Sequence, residues 1–391
     1  MIRSLLILVF LILSKCISFA GNQNNDSLIT SFNRISLEVF LNYSEDNKNY
    51  IIPAFPVAYN LATSYLGAIG STQENIGRLF NGKGKDVLFE SQYRRVSKIA
   101  FGTKRTYLFN HKNLVLYQKG FQMEVPFSKT ITSSGLTSFS KIDFSDTNGT
   151  KQQLSSFIRS TANNRDRFLT LPLKSNNLLD FISVSYFYSN WEGEFDRSLT
   201  KTQPFYLDEK KAVNVDYMNR SGGFGYYEND NMKAVEIFFK GKTASVILIF
   251  PKKGGNIEKE LDIHRYNSWN KELGDQQMEI SIPKFSVHSQ INLKSWLKDS
   301  LYHTFSNCDF GRIKNSTIPI CIGDIQTSAW LELDEKGAEF TGASSIGYTT
   351  AEDKPMAASK NSKTQYPFIF IIRDRLSGLI LFVGKIKNPS Q

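Results

Sequence analysis

The chain has 391 residues, of which 41% are hydrophobic and 21% are charged, and its formal net charge at pH 7 is +10. These proportions are those of a globular protein, and they exclude collagen-like and intrinsically disordered chains. The length allows two or three average domains or one large domain. The basic balance favours anionic partners, of which sulfated glycans are one class.

The first twenty residues, MIRSLLILVFLILSKCISFA, have the layout of a secretory signal peptide. Arg3 precedes an apolar run from Leu5 to Leu13, and small residues stand at Ser18 and Ala20. The apolar run is too short to span a bilayer, so a retained anchor is the lesser alternative. We therefore predict cleavage after Ala20, a mature chain of residues 21–391, and an extracellular location.

Cleavage would remove Cys16 and leave two cysteines, Cys308 and Cys321. In an oxidising compartment they either pair as a disulfide or remain two buried thiols, and the sequence favours neither. Secretion would also make Asn-x-Ser/Thr glycosylation sites usable. Five such sites occur, at Asn25, Asn42, Asn148, Asn219 and Asn315.

The N-terminal part of the mature chain is predicted to be helical. Residues 27–48 have apolar side chains near a helical period, and residues 56–71 read as a buried helix that ends at Gly67 and Gly70. A further helix is predicted from Thr72, which is a plausible N-cap.

From Asn110 the pattern changes to strands. The stretches DFISVSYFYSNW (180–191) and ASVILIFP (244–251) are rich in β-formers and predict strands that are buried on both faces. Two more strands are predicted near the C-terminus, YPFIFIIRD and GLILFVGKI. Helices first and strands later predict an α+β fold. No linker divides the chain, so we expect one domain over 21–391.

Motifs for catalysis and metal binding are missing. The four histidines share no local metal-ligand spacing with one another or with cysteine. HExxH, GxSxG and P-loop patterns do not occur. We therefore expect no enzymatic activity, no metal and no cofactor.

One long segment, residues 336–365, has neither a helical period nor a clean alternation. Loops of that length within a compact domain are uncommon, and they are usually functional or disordered. An exposed segment of small polar residues is also what a protease cleaves.

Several sequence blocks, taken in order, resemble the serpin family. LELDEKGAEFTGAS (331–344) and YPFIFIIRDRLSGLILFVGKIKNP (366–389) flank the long segment, and LGAIGSTQENI, FSKIDFSDTNGTKQQLSSFI, VSYFYSNWEGEFDRSLT, ILIFPKKGG and SIPKFSV precede it. The resemblance implies a serpin fold with three β-sheets, eight to nine helices and an exposed reactive-centre loop. It also implies a suicide-type inhibitor: a serine protease cleaves the loop, which then inserts into the large sheet and traps the acyl-enzyme.

The sequence of the loop suits insertion as a strand. GAEFTGASSIGYTT (337–350) contains no Pro and one charge, Glu339. One alternate set begins Ala338, Phe340, Gly342 and is uncharged, so it suits burial, whereas the set with Glu339 suits solvent. The hinge residues are Glu335, Gly337, Ala338, Phe340, Gly342 and Ala343, with Gly337 supplying freedom to bend.

The resemblance also indicates the bond that a protease would cleave. The family cleaves seventeen residues into the loop, and counting from Glu335 reaches Ala351, which gives the bond Ala351–Glu352. An Ala there suggests an elastase-like target. Lys354 and Met356 are alternative positions, because counting back from the C-terminal block ends near Met356 and Lys354 would suit a trypsin-like enzyme.

Two departures from the family pattern bear on activity. Phe340 occupies a position where inhibitory members usually have Ala, and a large ring on the buried face would slow insertion. The polar cluster beneath the large sheet is also changed: Pro53 and Pro56 replace two serines, Ser183 replaces Asn, and Thr327 replaces His. Because several members change together, we expect a rebuilt cluster rather than a broken one. The family Trp at the top of the sheet is kept as Trp191.

The expected partner is therefore a target serine protease, and the chain is expected to act as a monomer without a nucleic-acid partner or a membrane span. The alternatives are a non-inhibitory binding or carrier serpin and a serpin directed at cysteine proteases. A heparin-like glycosaminoglycan is a candidate modulator, because the stretch 93–105 is densely basic. The residues that would bind it are Arg94, Arg95, Lys98, Lys104 and Arg105; a solvated helix face is the structural alternative.

Overall fold

A computed structural model describes residues 27–43, 48–80, 86–99, 102, 104–164, 169, 171, 173–252, 256–293, 308–314, 320–322, 325–340, 361–363 and 365–391. The predicted signal peptide and the glycosylation sites Asn25 and Asn315 lie outside these residues. Most of the predicted loop, including the cleavage position, lies outside them as well.

Seven α-helices occur within the described residues, most of them before the main strands. They are α1 (Ser27–Asn42), α2 (Ala54–Gly67), α3 (Gly70–Arg78), α4 (Asp86–Ile99), α5 (Val125–Thr132), α6 (Thr147–Thr161) and α7 (Ile263–Lys271). None of the helices described is long and apolar enough to cross a membrane.

Helix α2 tolerates two prolines because of where they stand. Pro53 is the residue before the helix and Pro56 lies in its first turn. The first backbone N–H groups of a helix have no partner within it, so proline loses no hydrogen bond there. The rest of α2 is buried along almost its whole length.

The smaller sheet has six strands. In spatial order they are β10 (Phe285–Asn292), β11 (Gln326–Leu333), β12 (Gly337–Phe340), β4 (Leu179–Asn190), β2 (Leu108–Gln118) and β3 (Thr137–Ile142). Strand β12 pairs antiparallel with both of its neighbours, β11 and β4. It is the short start of the predicted loop.

The larger sheet has nine strands. Its order is β1 (Tyr50–Ile52), β15 (Ile380–Ile386), β14 (Phe368–Asp374), β8 (Ala244–Pro251), β7 (Met232–Phe238), β6 (Ala212–Glu228), β9 (Gly274–Pro283) and β13 (Asn361–Lys363), with β5 (Lys201–Tyr206) paired to β6.

The predicted α+β class is confirmed. The predicted number of three sheets depends on whether the two ends of strand β6 are counted in one sheet or in two. This strand has 17 residues. Residues 212–217 pair with β5, while residues 225–228 pair with β7. One long strand therefore joins what would otherwise be two sheets, and hydrogen bonding gives two sheets in the described part of the chain.

Strand β4 is covered on both faces, as its uninterrupted apolar sequence predicts. On one face Phe187 belongs to the main core, which also contains α2. On the other face Ile182 and Val184 pack with Leu154 and Ile158 of α6 in a second core cluster. The central strand of the smaller sheet is thus held between two helices.

Candidate functional site

The start of the predicted loop folds back on β11 as a tight hairpin. The Asp334 N–H donates to the Gly337 carbonyl (3.0 Å), and Glu335 and Lys336 form the connection. The Asp334 carboxylate accepts from the backbone N–H groups of Lys336 (2.9 Å) and Gly337 (3.2 Å). Because these groups satisfy each other, the turn is defined by local hydrogen bonds.

Strand β12 continues from that turn into the space between β11 and β4. Ala338 lies opposite Ser189 on one side and Leu333 on the other. Ala338 is 1% exposed, whereas Glu339 is half-buried. The alternation inferred from the sequence therefore holds for these two residues. The structure describes the backbone of Phe340, which lies opposite Phe187, but not its side chain.

Gly337 is required here for a reason that the sequence analysis missed. A Cβ atom at this position would lie 2.1 Å from the Ser189 carbonyl oxygen and 2.7 Å from the Asn190 Cα. These are backbone atoms of β4, so they cannot rotate away. Close approach of two backbones therefore selects glycine at this position, while the predicted freedom to bend stays a prediction.

Trp191 holds the hairpin turn, in addition to filling the core. Its indole N–H donates to the Asp334 carbonyl (2.8 Å), and its backbone N–H donates to the Lys336 carbonyl (2.9 Å). Its ring stacks on Phe239 with centroids 4.8 Å apart. The side chain thereby links the turn to the larger sheet.

Glu335 is a buried carboxylate at the same turn, 3% exposed. It accepts a hydrogen bond from the Thr200 hydroxyl (3.0 Å) and pairs with the Lys284 ammonium (3.2 Å). Burial, the largest effect, raises its pKa, but a backbone N–H, the Thr200 hydroxyl and Lys284 together outweigh burial. The pKa of Glu335 therefore lies below its ordinary value, and the group is charged at neutral pH.

Beyond Phe340 the same gap is not filled by any described strand. Residues 179–186 of β4 have β2 on one side and no strand partner among the described residues on the other. A cavity of about 560 Å³ lies there. It is lined by α2, by residues 179–185 of β4 and by the first residues of β11. The apolar side chains in its wall include Pro53, Pro56, Leu61, Phe181, Ile320 and Ile325.

A polar cluster stands beside this cavity, and its members differ from those predicted. The Ser183 hydroxyl lies 2.6 Å from Oδ1 of Asn60 on α2 and 2.5 Å from Oδ1 of Asn113 on β2. Thr327 does not join it, because its hydroxyl donates to the Ile291 carbonyl on β10 (3.4 Å). The cluster is thus rebuilt around Ser183, with two asparagines that sequence reasoning did not identify.

His111 lies next to the cluster and is fully buried. Its Nδ1 is 2.8 Å from the Ser185 hydroxyl, and its ring packs edge-on to Phe55 with centroids 4.7 Å apart. Burial lowers the pKa of His111 to about 3, against a small opposing effect of Asn113. The imidazole is therefore neutral at physiological pH.

The predicted glycan-binding residues divide into two groups. Arg95, Lys98 and Lys104 are exposed, and Arg94 pairs with Glu90 one turn earlier on α4 (3.4 Å). Arg105 is different, because its guanidinium bonds both oxygens of the buried Asp374 carboxylate at 3.0 and 2.9 Å. Its side chain is only 10% exposed. We therefore remove Arg105 from the set, since its charge is used inside the fold.

The glycosylation candidates also differ in their surroundings. Asn42 and Asn148 are exposed, near the end of α1 and the start of α6, and the Asn42 side-chain nitrogen donates to the Glu38 carbonyl one turn earlier (2.8 Å). Asn219 is half-buried, and its side-chain nitrogen donates to the carbonyls of Leu199 (2.7 Å) and Tyr217 (3.0 Å). That nitrogen would carry the sugar, so its two hydrogen bonds and its partial burial make Asn219 the least accessible of the three described candidates.

Cys308 and Cys321 are joined in a disulfide with their Cα atoms 5.4 Å apart. This resolves the choice that the sequence left open. Other predicted residues fall outside the described part of the chain: the hinge residues Gly342 and Ala343, and the cleavage-site residues Ala351, Glu352, Lys354 and Met356. Their assignments remain predictions.

Comparison with known proteins gives the family. The family model described as Serpin (serine protease inhibitor) matches residues 30–389. An uncharacterised serpin-like protein of Thermococcus kodakarensis is 23% identical over 367 residues, which cover 93% of this chain and 86% of that protein. The chain therefore belongs to the serpin family, whose members are generally protease inhibitors rather than enzymes.

Solved structures show the same fold. Human thyroxine-binding globulin in complex with thyroxine matches with a TM-score of 0.82 and 20% identity, covering 93% of this chain and 99% of that one. Native protease nexin-1 with heparin matches with a TM-score of 0.80 and 20% identity, with the same coverage. At these identities the likeness concerns the fold alone.

Proposed function

We propose that this serpin is a secreted suicide inhibitor of a serine protease. A single observation carries the proposal: β12 already lies antiparallel between β4 and β11, and the gap continues beyond it as a cavity. A strand added there would gain backbone hydrogen bonds on both edges and would bury alternate side chains. That gain is the driving force that a protease trap requires.

The register of β12 supports continued insertion. The described pairs end at Phe340; a strand that kept their register after insertion would set Gly342 opposite Ser185 and Ala329, and Ser344 opposite Ser183 and Thr327. Ala329 and Thr327 are buried, so the facing positions call for small side chains. The loop supplies Gly342 and Ser344 at those places.

A panel of serine proteases tests the proposal. An elastase is expected to give an SDS-stable complex and a released C-terminal fragment, because Ala351 suits a small primary pocket. Mass spectrometry of the fragment identifies the cleaved bond. Simple cleavage by every protease, without a complex, would contradict the proposal.

Two substitutions locate the bond more sharply. Ala351→Arg should abolish the complex with elastase and create one with a trypsin-like protease. Met356→Arg is the matched control, because it adds the same charge five positions later. If Met356→Arg gives the trypsin-like complex and Ala351→Arg does not, the bond lies later in the loop than proposed.

The carrier alternative makes a different prediction. In a non-inhibitory serpin, cleavage of the loop should leave the thermal unfolding midpoint unchanged, whereas insertion after cleavage should raise it strongly. A complex with a cathepsin but not with elastase would favour the cysteine-protease alternative. Both measurements use the same purified chain.

A glycosaminoglycan is our proposed modulator, bound by Arg95, Lys98 and Lys104, with Arg94 at the edge. Thr106, two residues after Lys104, bonds Thr243 through its backbone N–H (3.0 Å) and its hydroxyl (2.8 Å), and Thr243 directly follows the turn Lys240–Lys242. Heparin at low salt should accelerate inhibition, and Arg95→Ala/Lys98→Ala should remove the acceleration. Arg105→Ala is not a useful probe, because it would break a buried ion pair.

Secretion rests on the N-terminal sequence and on the disulfide. Expression of the full chain in a eukaryotic secretory host should deliver a protein that begins at Gly21. We propose that Asn42 and Asn148 carry glycans there and that Asn219 does not. Intact-mass measurement before and after glycosidase treatment, with Asn42→Gln and Asn148→Gln as controls, tests each site.

A further inference from the structure

Apolar side chains that are only half-buried surround the cavity beside residues 179–185 of β4. Phe181 on that strand, Leu173 before it, and Ile322 and Ile325 before β11 all line the cavity and keep part of their surface exposed. Exposure of apolar area to water is unfavourable, and such side chains gathered around one concavity are typical of a site that binds an apolar partner. The walls therefore indicate a ligand with a mainly apolar body.

The cavity is elongated. It borders seven consecutive residues of β4, Leu179 to Ser185, which extend over roughly 20 Å. It also borders α2 from Pro53 to Ser64, which corresponds to roughly 17 Å of helix. Its volume of about 560 Å³ lies within the range of ligand pockets. A linear chain fits these dimensions better than a broad ring system does.

Three uncharged polar side chains, Asn60, Ser64 and Ser183, belong to the wall of the cavity. The Ser183 hydroxyl lies 2.6 Å from Asn60 Oδ1, and the Ser64 hydroxyl donates to the Asn60 carbonyl (2.9 Å). A serine hydroxyl that donates one hydrogen bond can still accept others. These three groups can therefore bond a hydroxyl group of a ligand.

The charged side chains in the described wall are Lys174 and Asp180. Lys174 is exposed, and the Asp180 carboxylate accepts from the side-chain nitrogen of Asn177 (2.8 Å). An anionic head group placed among the three uncharged side chains would lose its hydration, and the described wall offers it only the solvent-facing Lys174. The wall therefore favours an uncharged head group.

We propose that the cavity is a binding site for a neutral single-chain lipid, in which one alkyl chain carries an uncharged head group with a hydroxyl. The alkyl chain lies along Phe181, Ile322 and Ile325, and the head group bonds Ser64 and Ser183. Because the cavity is also the proposed track of the loop, a bound lipid competes with insertion. This consequence rests on the proposed function, whereas the binding itself does not.

Two probes with the same acyl chain test the chemistry of the site on the wild-type protein. 1-Monolauroylglycerol has a neutral head group with two hydroxyls, whereas dodecanoate has a carboxylate. Isothermal titration calorimetry at pH 7, below the concentrations at which either probe forms micelles, should give 1-monolauroylglycerol the lower Kd by about tenfold or more. No binding of 1-monolauroylglycerol, or equal affinities for the two probes, would overturn the proposal.

Two isoleucine substitutions test the location of the site. Ile325 lines the cavity, whereas Ile29 on α1 does not, and both side chains are half-buried against the main core. Ile325→Asp places a charge beside the alkyl chain and should weaken the binding of 1-monolauroylglycerol by about tenfold or more. Ile29→Asp should leave the affinity unchanged. Equal effects of the two substitutions would overturn the assignment.

Photolabelling covers the case in which Ile325→Asp does not fold. A monoacylglycerol with a diazirine on its alkyl chain is irradiated with the wild-type protein, and the labelled peptides are identified by mass spectrometry. Labels should fall on peptides that contain Phe181, Ile322 or Ile325, and excess 1-monolauroylglycerol should prevent them. Labels confined to other peptides would overturn the proposal.

Reaction with elastase tests the competition with loop insertion. When 1-monolauroylglycerol is bound, a larger share of the serpin should be cleaved without forming the SDS-stable complex. Elastase activity on a small peptide substrate, measured with the same lipid, is the control. An unchanged share at saturating lipid would overturn the competition. If no complex forms even without lipid while the lipid binds, the proposed function fails and the lipid site stands.

Discussion

The upper and lower halves of the gap between β4 and β11 are filled in different ways. The upper half contains β12, and its turn is held by hydrogen bonds of Trp191, Asp334 and Glu335. The lower half contains a cavity beside the Ser183 cluster. The same two strands thus border β12 at one end and, within the part of the chain that the structure describes, a cavity without a further strand at the other.

This difference shows how one sheet can be both stable and ready to change. The hydrogen bonds of Trp191, Asp334 and Glu335 in the upper half give the hinge a defined starting position. In the lower half the facing edges of β4 and β11 lack a described strand partner, which is the condition that favours addition of a strand. Five predictions test this contrast, beginning with the largest expected effect.

Gly337→Ala should disrupt the packing of β12 between β4 and β11 in the upper half of the gap. A Cβ atom 2.1 Å from the Ser189 carbonyl oxygen forces the strands apart, and overpacking of this kind costs roughly 1–3 kcal/mol. We expect trapping to fall by about tenfold relative to simple cleavage, measured as the stoichiometry of inhibition. Lys336→Ala is the control at the adjacent turn residue. Unchanged inhibition by Gly337→Ala would show that β12 need not enter the sheet.

His111→Gln should change the acid stability of the lower half. The pKa of His111 is about 3 in the folded protein, against an ordinary value of 6.5 that applies to the unfolded chain. Between pH 3 and pH 6.5 the imidazole is therefore protonated in the unfolded chain and neutral in the folded one. Stability should therefore fall as the pH drops from about 6.5 towards 3, with a slope of at most about 1.4 kcal/mol per pH unit from this group.

Urea unfolding at several pH values measures that slope, which His111→Gln should reduce. The exposed His264 provides the control substitution, His264→Gln. The same slope in wild type and in His111→Gln would mean that the buried imidazole does not control acid sensitivity.

Ser183→Ala should destabilise the lower half at neutral pH. It leaves the side chains of Asn60 and Asn113 without their shared partner, which costs about 1–3 kcal/mol for buried polar groups. The free energy of unfolding in urea measures the loss, with the exposed Ser160→Ala as control. A variant as stable as the wild type would indicate that water replaces the hydroxyl in the cavity.

Glu335→Gln should have a smaller effect that depends on pH. The pKa of Glu335 is depressed when folded, so its stabilising effect is complete above the unfolded pKa and is lost as the pH falls through the folded value. Lys284 is 38% exposed, which limits the ion pair to about 1 kcal/mol or less.

The stability difference between wild type and Glu335→Gln should therefore be largest at neutral pH and shrink below about pH 4.5, near the ordinary pKa of the group. Glu332→Gln on the exposed face of β11 is the control. A difference that grows on acidification would have the wrong sign for this explanation.

Phe340→Ala should give the smallest change, and it should improve the inhibitor. The loop alternation assigns Phe340 to the face that must be buried, where a smaller side chain would enter faster. The stoichiometry of inhibition should move towards one inhibitor per protease. Glu339→Ala, on the other face, is the control. Weaker inhibition by Phe340→Ala would mean that the ring anchors the strand rather than delaying it.

Local patterns predicted much of this arrangement. Ala338 is buried and Glu339 is half-buried because side chains alternate between the two faces of a strand, and this alternation is a local property. The buried character of α2 and β4 follows from their composition in the same way. The turn at Asp334–Gly337 is local in the same way, since its polar residues bond to neighbours in the sequence.

Contacts between distant segments were not predictable in this way. Arg105 sits in a stretch that reads as a basic surface, yet it pairs with Asp374, 269 positions later. Asn60, Asn113 and Ser183 lie on three different elements, so nothing in the sequence around each residue indicates that they meet. The steric reason for Gly337 was missed, since the close approach of β4 leaves no sign in the residues around Gly337.

The sequence by itself determined the family, the α+β class, the order of the main elements and the alternation at the start of the loop. These properties depend on residues that are close along the chain or on blocks that occur in a fixed order. Only the tertiary structure decided which polar groups form the rebuilt cluster, that Cys308 and Cys321 pair, and that a cavity lies beside residues 179–185 of β4. Those features depend on how helices and strands far apart in the chain pack together, and packing brings side chains within bonding distance without leaving a local pattern.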